Sequence, residues 1–444
     1  PKGGEISHGE EKKAQGVNLI YSFISAQKMR GRLLASSSPS AEMESMSRRV
    51  PLLPEEYERM EEKKEENGKE RVSSSTSTTH SPTSSSSPAF SLFPRSSLLL
   101  LPLLLLLLFV HPTAACPDSC SCEDGGTVVK CTPGSQHDFP FLLPPTTTYL
   151  DLTGSRMEMP TWPLYSLTPN LHTLILRNSS ITALNDGVFA GLPSLKKIDL
   201  AMNDIKSIHP DAFTGASGLE YLDLSSNRRL SLPLRAFDAL DGLRRLDLSN
   251  CGLKELEQGI LHGLERLEEL NLKNNRLSFL PRGLFGQQRR LQMLDLSGNK
   301  LDTTSSLSPL PSLLVLNIAG NSIKHLDRID HLSKLEKLDA SHNLVSSLPS
   351  PPSFPPSLKF IDLSHNELRQ LQTAAFDSLV DLSHLNLSHN KRLDNVQMNV
   401  FVSLTSLEYL SLAHCTQLTS FSPAAFQPLP LSLRVLHLGG IPHL

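Results

Sequence analysis

One polar position recurs at a nearly constant step along residues 155–415, and this period constrains the fold more than any other feature. The pattern is Leu-x-x-Leu-x-Leu-x-x-(Asn/Cys)-x-Leu, and its polar position falls at Ser155, Ser179, Asn203, Asn227, Cys251, Asn275, Asn299, Asn321, Asn343, Asn366, Asn390 and Cys415. The first six steps are 24 residues long, and the next five are 22, 22, 23, 24 and 25. A thirteenth copy, which begins at Leu433, places Ile441 at the polar position. Such a period indicates a solenoid of stacked repeats.

The copy around residue 246 shows what each repeat contributes. Leu246 and Leu248 are two residues apart and point to the same side of a short strand, whereas Arg245 and Asp247 point to solvent. Cys251 stands where the chain leaves the strand. Most copies have Asn there, and its amide can donate to and accept from the backbone of neighbouring turns. Because buried amides must be paired, we predict a continuous ladder of these side chains along stacked repeats.

A second apolar row follows the same period behind the first. Its members are Phe189, Phe213, Phe237, Leu261 and Phe285, and then Phe376, Phe401 and Phe426. The row lapses between Asn299 and Asn366, where the repeats shorten and prolines accumulate at 349–356. We expect an apolar spine on the back of the sheet. Ordinary repeat variation and a local change of curvature both fit the lapse.

Four cysteines precede the first repeat, in the order Cys116, Cys120, Cys122 and Cys131. The first repeat would expose its core edge without a cover, so a cap is expected at this place. Four cysteines allow three disulfide pairings, and their thiols are also suitable ligands for zinc.

The repeats and these cysteines together resemble the extracellular leucine-rich repeat family in its typical 24-residue form, over residues 116–444. The resemblance implies an α/β leucine-rich repeat solenoid with a curved parallel β-sheet of about 13 repeats on the concave face. It implies a cysteine-rich N-terminal cap over 116–145, disulfide-bonded first-with-third and second-with-fourth, and a repeat array over 146–444. It also implies a C-terminal cap, which would begin where this chain stops. Cys251 and Cys415 would be buried free thiols.

An apolar run, Leu98–Val110, lies just before the cysteines and is short for a membrane span. We predict a signal peptide over 96–115 with cleavage after Ala115, and hence a secreted or cell-surface protein in an oxidising compartment. A retained signal anchor is the alternative. Residues 1–95 are predicted to be a disordered, low-complexity leader. Because signal peptides begin near the N-terminus, the true start would be a later methionine such as Met60.

Each strand presents two rows of side chains to solvent. One row is mostly Asp or Asn, and a structural requirement of the repeat explains it. The other row changes from repeat to repeat and includes residue types that are common in interface hot spots. From this row we select Tyr221, Arg245, Glu269, Met293, Phe360, His384 and Tyr409 as candidate partner-binding residues.

Two further features could carry function. His342, His365, His389 and His414 precede the polar position in successive repeats, so we expect them to stack about 5 Å apart. They fit an ordinary turn filler or, if protonated between pH 5 and 7, an acid-sensitive patch. Two glycosylation motifs begin at Asn178 and Asn386, of which Asn178 is the more accessible candidate because Asn386 falls on a strand.

Composition and motifs narrow the function classes. The formal net charge of −3 gives no sign of nucleic-acid binding. We find no catalytic or nucleotide-binding motif and expect neither an enzyme nor a cofactor or metal centre. The favoured interpretation is a receptor or adhesion ectodomain that binds an extracellular protein or pathogen-derived ligand on its concave face. A secreted matrix protein is the alternative, and membrane anchoring beyond residue 444 would decide between them. The sequence leaves the oligomeric state open.

Overall fold

The computed structural model describes residues 116–134, 143–160, 164, 169–307, 310–327, 329–348, 354–419, 425 and 430–442. All of them belong to one compact unit. The predicted leader and signal peptide, at 1–95 and 96–115, lie outside the described residues. Among the described residues, no helix has the length and apolar character needed to cross a bilayer.

A single large sheet dominates the described part of the chain. Thirteen of its strands are three residues long and lie at the predicted Leu-x-Leu positions: Tyr149–Asp151, Thr173–Ile175, Lys197–Asp199, Tyr221–Asp223, Arg245–Asp247, Glu269–Asn271, Met293–Asp295, Val315–Asn317, Lys337–Asp339, Phe360–Asp362, His384–Asn386, Tyr409–Ser411 and Val435–His437. Each pairs in parallel with the strand of the neighbouring repeat on either side, except that Val435–His437 ends the described sheet and Tyr149–Asp151 pairs with the cap. The middle residue of every strand is buried, as the alternation of side chains in a strand requires. This confirms the predicted leucine-rich repeat solenoid.

The cap extends the same sheet at its N-terminal edge. Strands Cys120–Glu123 and Val128–Cys131 pair antiparallel, a short 3-10 helix at Asp124–Gly126 joins them, and the second pairs in parallel with Tyr149–Asp151. Disulfides join Cys116 to Cys122 and Cys120 to Cys131. The pairing is therefore first-with-third and second-with-fourth, as the resemblance implied.

The back of the sheet is built around the phenylalanine spine. Phe189 and Phe213 stack with ring centroids 5.5 Å apart, and Phe376 and Phe401 lie 6.3 Å apart. Phe354, from the proline-rich segment, stacks on Phe376 at 6.0 Å, so the spine resumes one repeat earlier than the sequence row suggested. Short strands Ala183–Leu184 and Ser207–Ile208 form one small sheet here, and Gln370–Leu371 and Asn395–Val396 form another. A 3-10 helix at Ile329–His331 lies in the shortened repeats.

The polar position forms the predicted ladder between repeats. The Asn203 side chain accepts the backbone N–H groups of Ser179 and Ile181 at 2.8 and 3.1 Å. It also donates to the carbonyl oxygens of Leu176 and Leu200, each at 2.8 Å. One side chain therefore satisfies buried backbone groups of two adjacent repeats, which holds the sheet in register.

Candidate ligand-binding face

The first residues of the strands form one continuous row on the sheet. Tyr221, Arg245, Glu269 and Met293 are register partners in consecutive strands, and so are Phe360, His384 and Tyr409. Val315 and Lys337 lie between the two groups. We call this line of first strand residues the concave row, and every one of its residues is half-buried. The structure thus brings all seven candidate residues into one line.

The N-terminal part of the concave row is charged and internally paired. The Lys197 ammonium lies 4.7 Å from the centroid of the Tyr221 ring. The Arg245 guanidinium and the Glu269 carboxylate form an ion pair at 3.3 Å. These contacts hold long side chains in defined positions, so less conformational entropy remains to be lost on binding.

Aromatic rings make up the C-terminal part of the row. Phe360 and His384 have ring centroids 6.0 Å apart, His384 and Tyr409 are 5.8 Å apart, and Tyr409 and His437 are 5.4 Å apart. We call these four residues the ring stripe. At its start, the Lys337 ammonium lies 5.0 Å from the Phe360 centroid. The sequence assigned His437 to the other row, but its ring leans onto Tyr409.

Burial disfavours charge in this part of the face. It lowers the pKa values of Lys337 and His384 and raises that of the Tyr409 hydroxyl. All three shifts favour the neutral form of the group. The ring stripe is therefore an apolar strip with polar ring edges, in contrast to the charged N-terminal part of the row.

The third residues of the strands serve the backbone. The Asp199, Asp223 and Asp247 carboxylates each accept the N–H group two residues further along, at 2.8–2.9 Å. Asn271 keeps this contact and also donates its amide to Asp247 at 2.8 Å. This geometry explains the Asp and Asn bias of the row, because a side-chain acceptor oxygen closes the turn in most repeats, whereas Ile175 and His437 carry none.

Two carboxylates of this third-position row are poorly solvated. Burial raises the pKa of Asp223, and the nearby Asp247 and Asp199 carboxylates raise it further. Burial and then Asp339 raise the pKa of Asp362 in the same way. The face is thus acidic along this row, with its negative charges held close together.

The four predicted histidines form a stack beside the sheet. His342 and His365 have ring centroids 4.0 Å apart, His365 and His389 are 4.1 Å apart, and His389 and His414 are 4.5 Å apart. We call them the histidine ladder. Burial of the ring and the neighbouring histidines lower the pKa of His365 to about 4, and burial and then His414 lower that of His389. Protonation of the central ring thus falls below the pH 5–7 range that the sequence suggested.

The two glycosylation motifs lie in different environments. Asn178 is exposed, and its backbone has a φ of +53° at the edge of the sheet. Asn386 is half-buried on its strand, donates its amide to Asp362 at 2.9 Å and accepts the N–H of Ser388 at 3.1 Å. Because the Asn386 amide nitrogen is engaged in the folded array, Asn178 offers the more accessible acceptor.

The cysteines of the described residues are either buried free thiols or joined in disulfides. Cys251 and Cys415 are buried free thiols, and burial raises their pKa values to about 12 and about 11. The cap cysteines are all oxidised in disulfides, which leaves them no thiolate for zinc.

Comparisons with known proteins agree with this architecture. The sequence profile described as "Leucine rich repeat" matches residues 169–228, 241–301 and 350–391, and a second profile described as "Leucine Rich Repeat" matches 290–313. Osteomodulin of Bos taurus is 37% identical over 99 residues, which are 21% of this chain and 23% of osteomodulin. The chain therefore spans less than a quarter of that relative.

Two solved structures share the fold over most of the array. The TLR13–ssRNA13 complex superposes with a TM-score of 0.59 at 25% identity, covering 67% of this chain and 44% of that one. The Toll–Spatzle complex, from Drosophila, gives a TM-score of 0.57 at 25% identity, covering 66% and 40%. The capped solenoid and the matching repeats show that this chain has the leucine-rich repeat fold, which its relatives use as a binding scaffold rather than for catalysis.

Proposed function

We propose that this chain is the ligand-binding ectodomain of a cell-surface receptor or adhesion protein, which binds an extracellular protein or pathogen-derived ligand through its concave row. One observation carries the proposal. The third-position row is committed to closing its own turns, whereas the concave row beside it varies in chemistry along an ordered, half-exposed line. Variation that the scaffold does not require is the property of a recognition surface.

The rigid backbone suits the concave row for binding. The repeat strands from Tyr149–Asp151 to Tyr409–Ser411 are paired on both sides, and the amide ladder fixes the spacing between repeats. A ligand therefore meets a preformed surface and loses little affinity to ordering it.

The charge of the face favours a protein ligand over RNA. Lys197, Arg245 and Lys337 are the cations of the concave row between residues 197 and 409. Glu269 pairs with Arg245, and the acidic third-position row runs alongside. Nucleic-acid binding relies on uncompensated cations that neutralise phosphates. Solved structures of similar fold include complexes with either class, Toll with Spatzle and TLR13 with single-stranded RNA, so the charge of the face carries the choice.

We place the main binding energy on the ring stripe. Tyrosine and other aromatic side chains dominate interface hot spots, and these rings are held in position by one another. Their outward edges combine apolar area with the Tyr409 hydroxyl and imidazole nitrogens.

The test measures how two alanine variants, each lacking one exposed aromatic ring, bind to a panel of extracellular proteins displayed on cells. Tyr409→Ala removes a ring from the concave row, and Phe279→Ala removes an exposed ring outside the large sheet. For a ligand found with the wild-type chain, we expect Tyr409→Ala to weaken binding about 30-fold, equal to a hot-spot cost of about 2 kcal/mol. Phe279→Ala should bind like wild type. If Phe279→Ala weakens binding more than Tyr409→Ala does, and circular dichroism shows that both variants are folded, the concave row is not the binding surface.

The proposal includes secretion. Disulfides in the cap fit an oxidising compartment. Expression in mammalian cells should deliver the protein to the medium or the cell surface, with a mature N-terminus at or near Cys116 and a glycan on Asn178. Retention in the cytosol with reduced cap cysteines would contradict it.

A secreted matrix protein is the second candidate, because the same face would serve a soluble scaffold. The full-length transcript distinguishes them. A cap followed by about 20 apolar residues would favour a receptor, and a cap followed by a stop would favour the matrix protein.

A further inference from the structure

Four cations without a carboxylate partner lie on the turns that follow the amide ladder. Arg228 and Arg229 come directly after a ladder asparagine, and so do Arg276 and Lys300 in later repeats. All four side chains are exposed, whereas the ladder asparagines before them are buried. Among the described residues, no ion pair of 4.0 Å or less joins any of the four to a carboxylate. We call these four residues the basic edge.

The backbone sets the basic edge in one line. The Arg276 and Lys300 N–H groups donate to carbonyl oxygens of the preceding repeat, at 2.7 and 2.8 Å. Gly252 holds the equivalent position between Arg228 and Arg276, and a Cβ atom on it would lie only 2.6 Å from the Arg228 carbonyl oxygen. Equivalent positions therefore stack directly on one another. At about 4.8 Å for each of three repeat steps, the line from Arg228 to Lys300 is about 14 Å long.

The repeat itself does not require a cation at this position. Other repeats fill it with Asp204, Ser322, Leu344 and Glu367. Each of these residues still donates its N–H group to a carbonyl oxygen of the preceding repeat. The backbone contact is thus independent of the side chain, and the positive charge of the basic edge is a property of the surface rather than of the scaffold.

Other cations in the same repeats are neutralised by their neighbours. The residues just before the strands alternate in charge from repeat to repeat, so Lys196 pairs with Glu220 at 2.8 Å and Arg244 pairs with Glu268 at 2.9 Å. The basic edge has no such alternation. Its charges are therefore available to an external anion, although the whole chain has a formal net charge of −3.

We propose that the basic edge binds a sulfated glycosaminoglycan chain of the heparan class. A linear polyanion matches a line of cations, and clustered Lys and Arg residues are typical of heparin-binding surfaces. The planar guanidinium groups of Arg228 and Arg276 can each donate two parallel hydrogen bonds to an oxyanion. The proposed function enters only through the extracellular location, where such chains occur.

The surroundings of the basic edge favour a sulfated sugar over single-stranded nucleic acid. Proteins that bind single strands combine cations with aromatic side chains on which the bases stack. The turns at residues 225–228, 249–252, 273–276 and 297–300 contain no aromatic side chain. They instead expose Asn250 and Asn274, whose amides can bond to sugar hydroxyl groups. The acidic third-position row disfavours a polyanion on the concave face beside them.

The experiment measures binding of the purified protein to a heparin oligosaccharide over a range of salt concentrations. The edge variant combines Arg228→Ser, Arg276→Ser and Lys300→Ser. Serine suits this position, because Ser322 occupies it in another repeat and keeps the backbone bond. Circular dichroism checks that the variant is folded.

A matched control removes the same charge from another surface of the same region. It combines Arg282→Ser, Arg289→Ser and Arg290→Ser, three exposed positions on either side of the spine residue Phe285 along the chain. A second control, Tyr409→Ala, lies in the concave row and separates sugar binding from the proposed protein-binding surface.

At about 0.15 M salt, we expect the edge variant to bind heparin at least about tenfold more weakly than wild type. The slope of log affinity against log salt should fall in magnitude by about 2, because each lost cation contributes about 0.7. The Arg282, Arg289, Arg290 variant should stay within about threefold of wild type, and Tyr409→Ala should bind heparin unchanged.

Four results would each overturn the proposal. They are no binding of heparin by the wild type at this salt concentration, equal weakening in the edge variant and the arginine control, loss of heparin binding in Tyr409→Ala, and competition by polyuridine as strong as that by heparin. Because Tyr409 lies outside the basic edge, a failure of the concave row to bind a protein would leave the heparin result unchanged.

Discussion

Replacing Asn275 by cysteine tests how the amide ladder stabilises the array. The Asn275 side chain accepts the N–H groups of Cys251 and Leu253, each at 3.1 Å, and donates to the carbonyl oxygens of Leu248 and Leu272, each at 2.9 Å. Cysteine occurs naturally at the same position in two other repeats. The Cys251 thiol still reaches a carbonyl oxygen of the preceding repeat, that of Leu224, at 3.2 Å.

The difference between the two side chains lies in what they accept. A thiol at 275 can replace one donated bond, but it leaves two buried N–H groups without their oxygen. Each unsatisfied buried donor costs about 1–3 kcal/mol, so we expect Asn275→Cys to lower the free energy of unfolding by about 2–6 kcal/mol.

The reverse substitution at Cys251 should have a much smaller effect. The preceding repeat reads Asn227-Arg-Arg-Leu230, one residue longer than the common Asn-x-Leu, and it closes its own turn through the Leu230 N–H and the Asn227 carbonyl at 3.0 Å. The repeat before Cys415 has the same extra residue, Asn390-Lys-Arg-Leu393, and the same bond at 3.0 Å. We therefore expect Cys251→Asn to change stability by no more than about 1 kcal/mol, the net worth of one hydrogen bond.

Urea unfolding by far-ultraviolet circular dichroism measures both variants, and equal slopes are needed because long repeat arrays can lose two-state behaviour. Hydrogen exchange of the Leu253 amide gives a local readout. Our reasoning fails if Asn275→Cys costs less than about 1 kcal/mol with that amide still protected. It also fails if Cys251→Asn stabilises the protein as strongly as Asn275→Cys destabilises it.

Two further predictions concern charge. Asp223→Asn should raise the free energy of unfolding at pH 7.4 by about 0.5–1 kcal/mol, measured by urea titration. The substitution removes a poorly solvated charge, and the new amide can donate to Asp199 as the Asn271 amide donates to Asp247. A loss of stability would contradict this expectation. His365 has a folded-state pKa of about 4, below the ordinary 6.5, so the unfolded chain takes up its proton first. The melting temperature should therefore fall as the pH drops from about 6.5 toward 4, and it should fall less steeply in His365→Asn. Parallel plots of melting temperature against pH for the two proteins would refute the lowered pKa.

The period of the polar position was sufficient to predict the register of the sheet. Because the strand residues alternate sides, placing Leu246 and Leu248 in the core fixed Arg245 and Asp247 on the opposite face, and the structure shows them there. The cap pairing came from the family resemblance, since spacing alone left three arrangements open. Which side chains bind a ligand remains a prediction.

Other features depended on contacts that a period does not encode. Phe354 lies 22 residues before Phe376, a step that matches the shortened repeats. Because it lies among prolines, the sequence analysis did not include it in the phenylalanine spine. The leaning of His437 onto Tyr409 is a choice of side-chain torsion. The lowered pKa of His365 has desolvation as its first cause and the neighbouring histidines as its second, and the 4.0–4.1 Å ring spacing differs from the roughly 5 Å that the sequence led us to expect.

The histidine ladder shows how scaffold and function can be separated in a repeat protein. Its position requires a positive φ in repeat after repeat, and Gly298, Gly320 and Gly440 fill it without steric cost. Asparagine and histidine are also tolerated at positive φ, so the backbone explains why a histidine can stand there. It gives no reason for four in succession, whose rings stack on one another at 4.0–4.5 Å. A requirement of the turn alone would be met equally well by glycine. Replacing both His365 and His389 by asparagine would therefore isolate the contribution of the imidazoles, because asparagine already adopts this backbone conformation at Asn250 and Asn274.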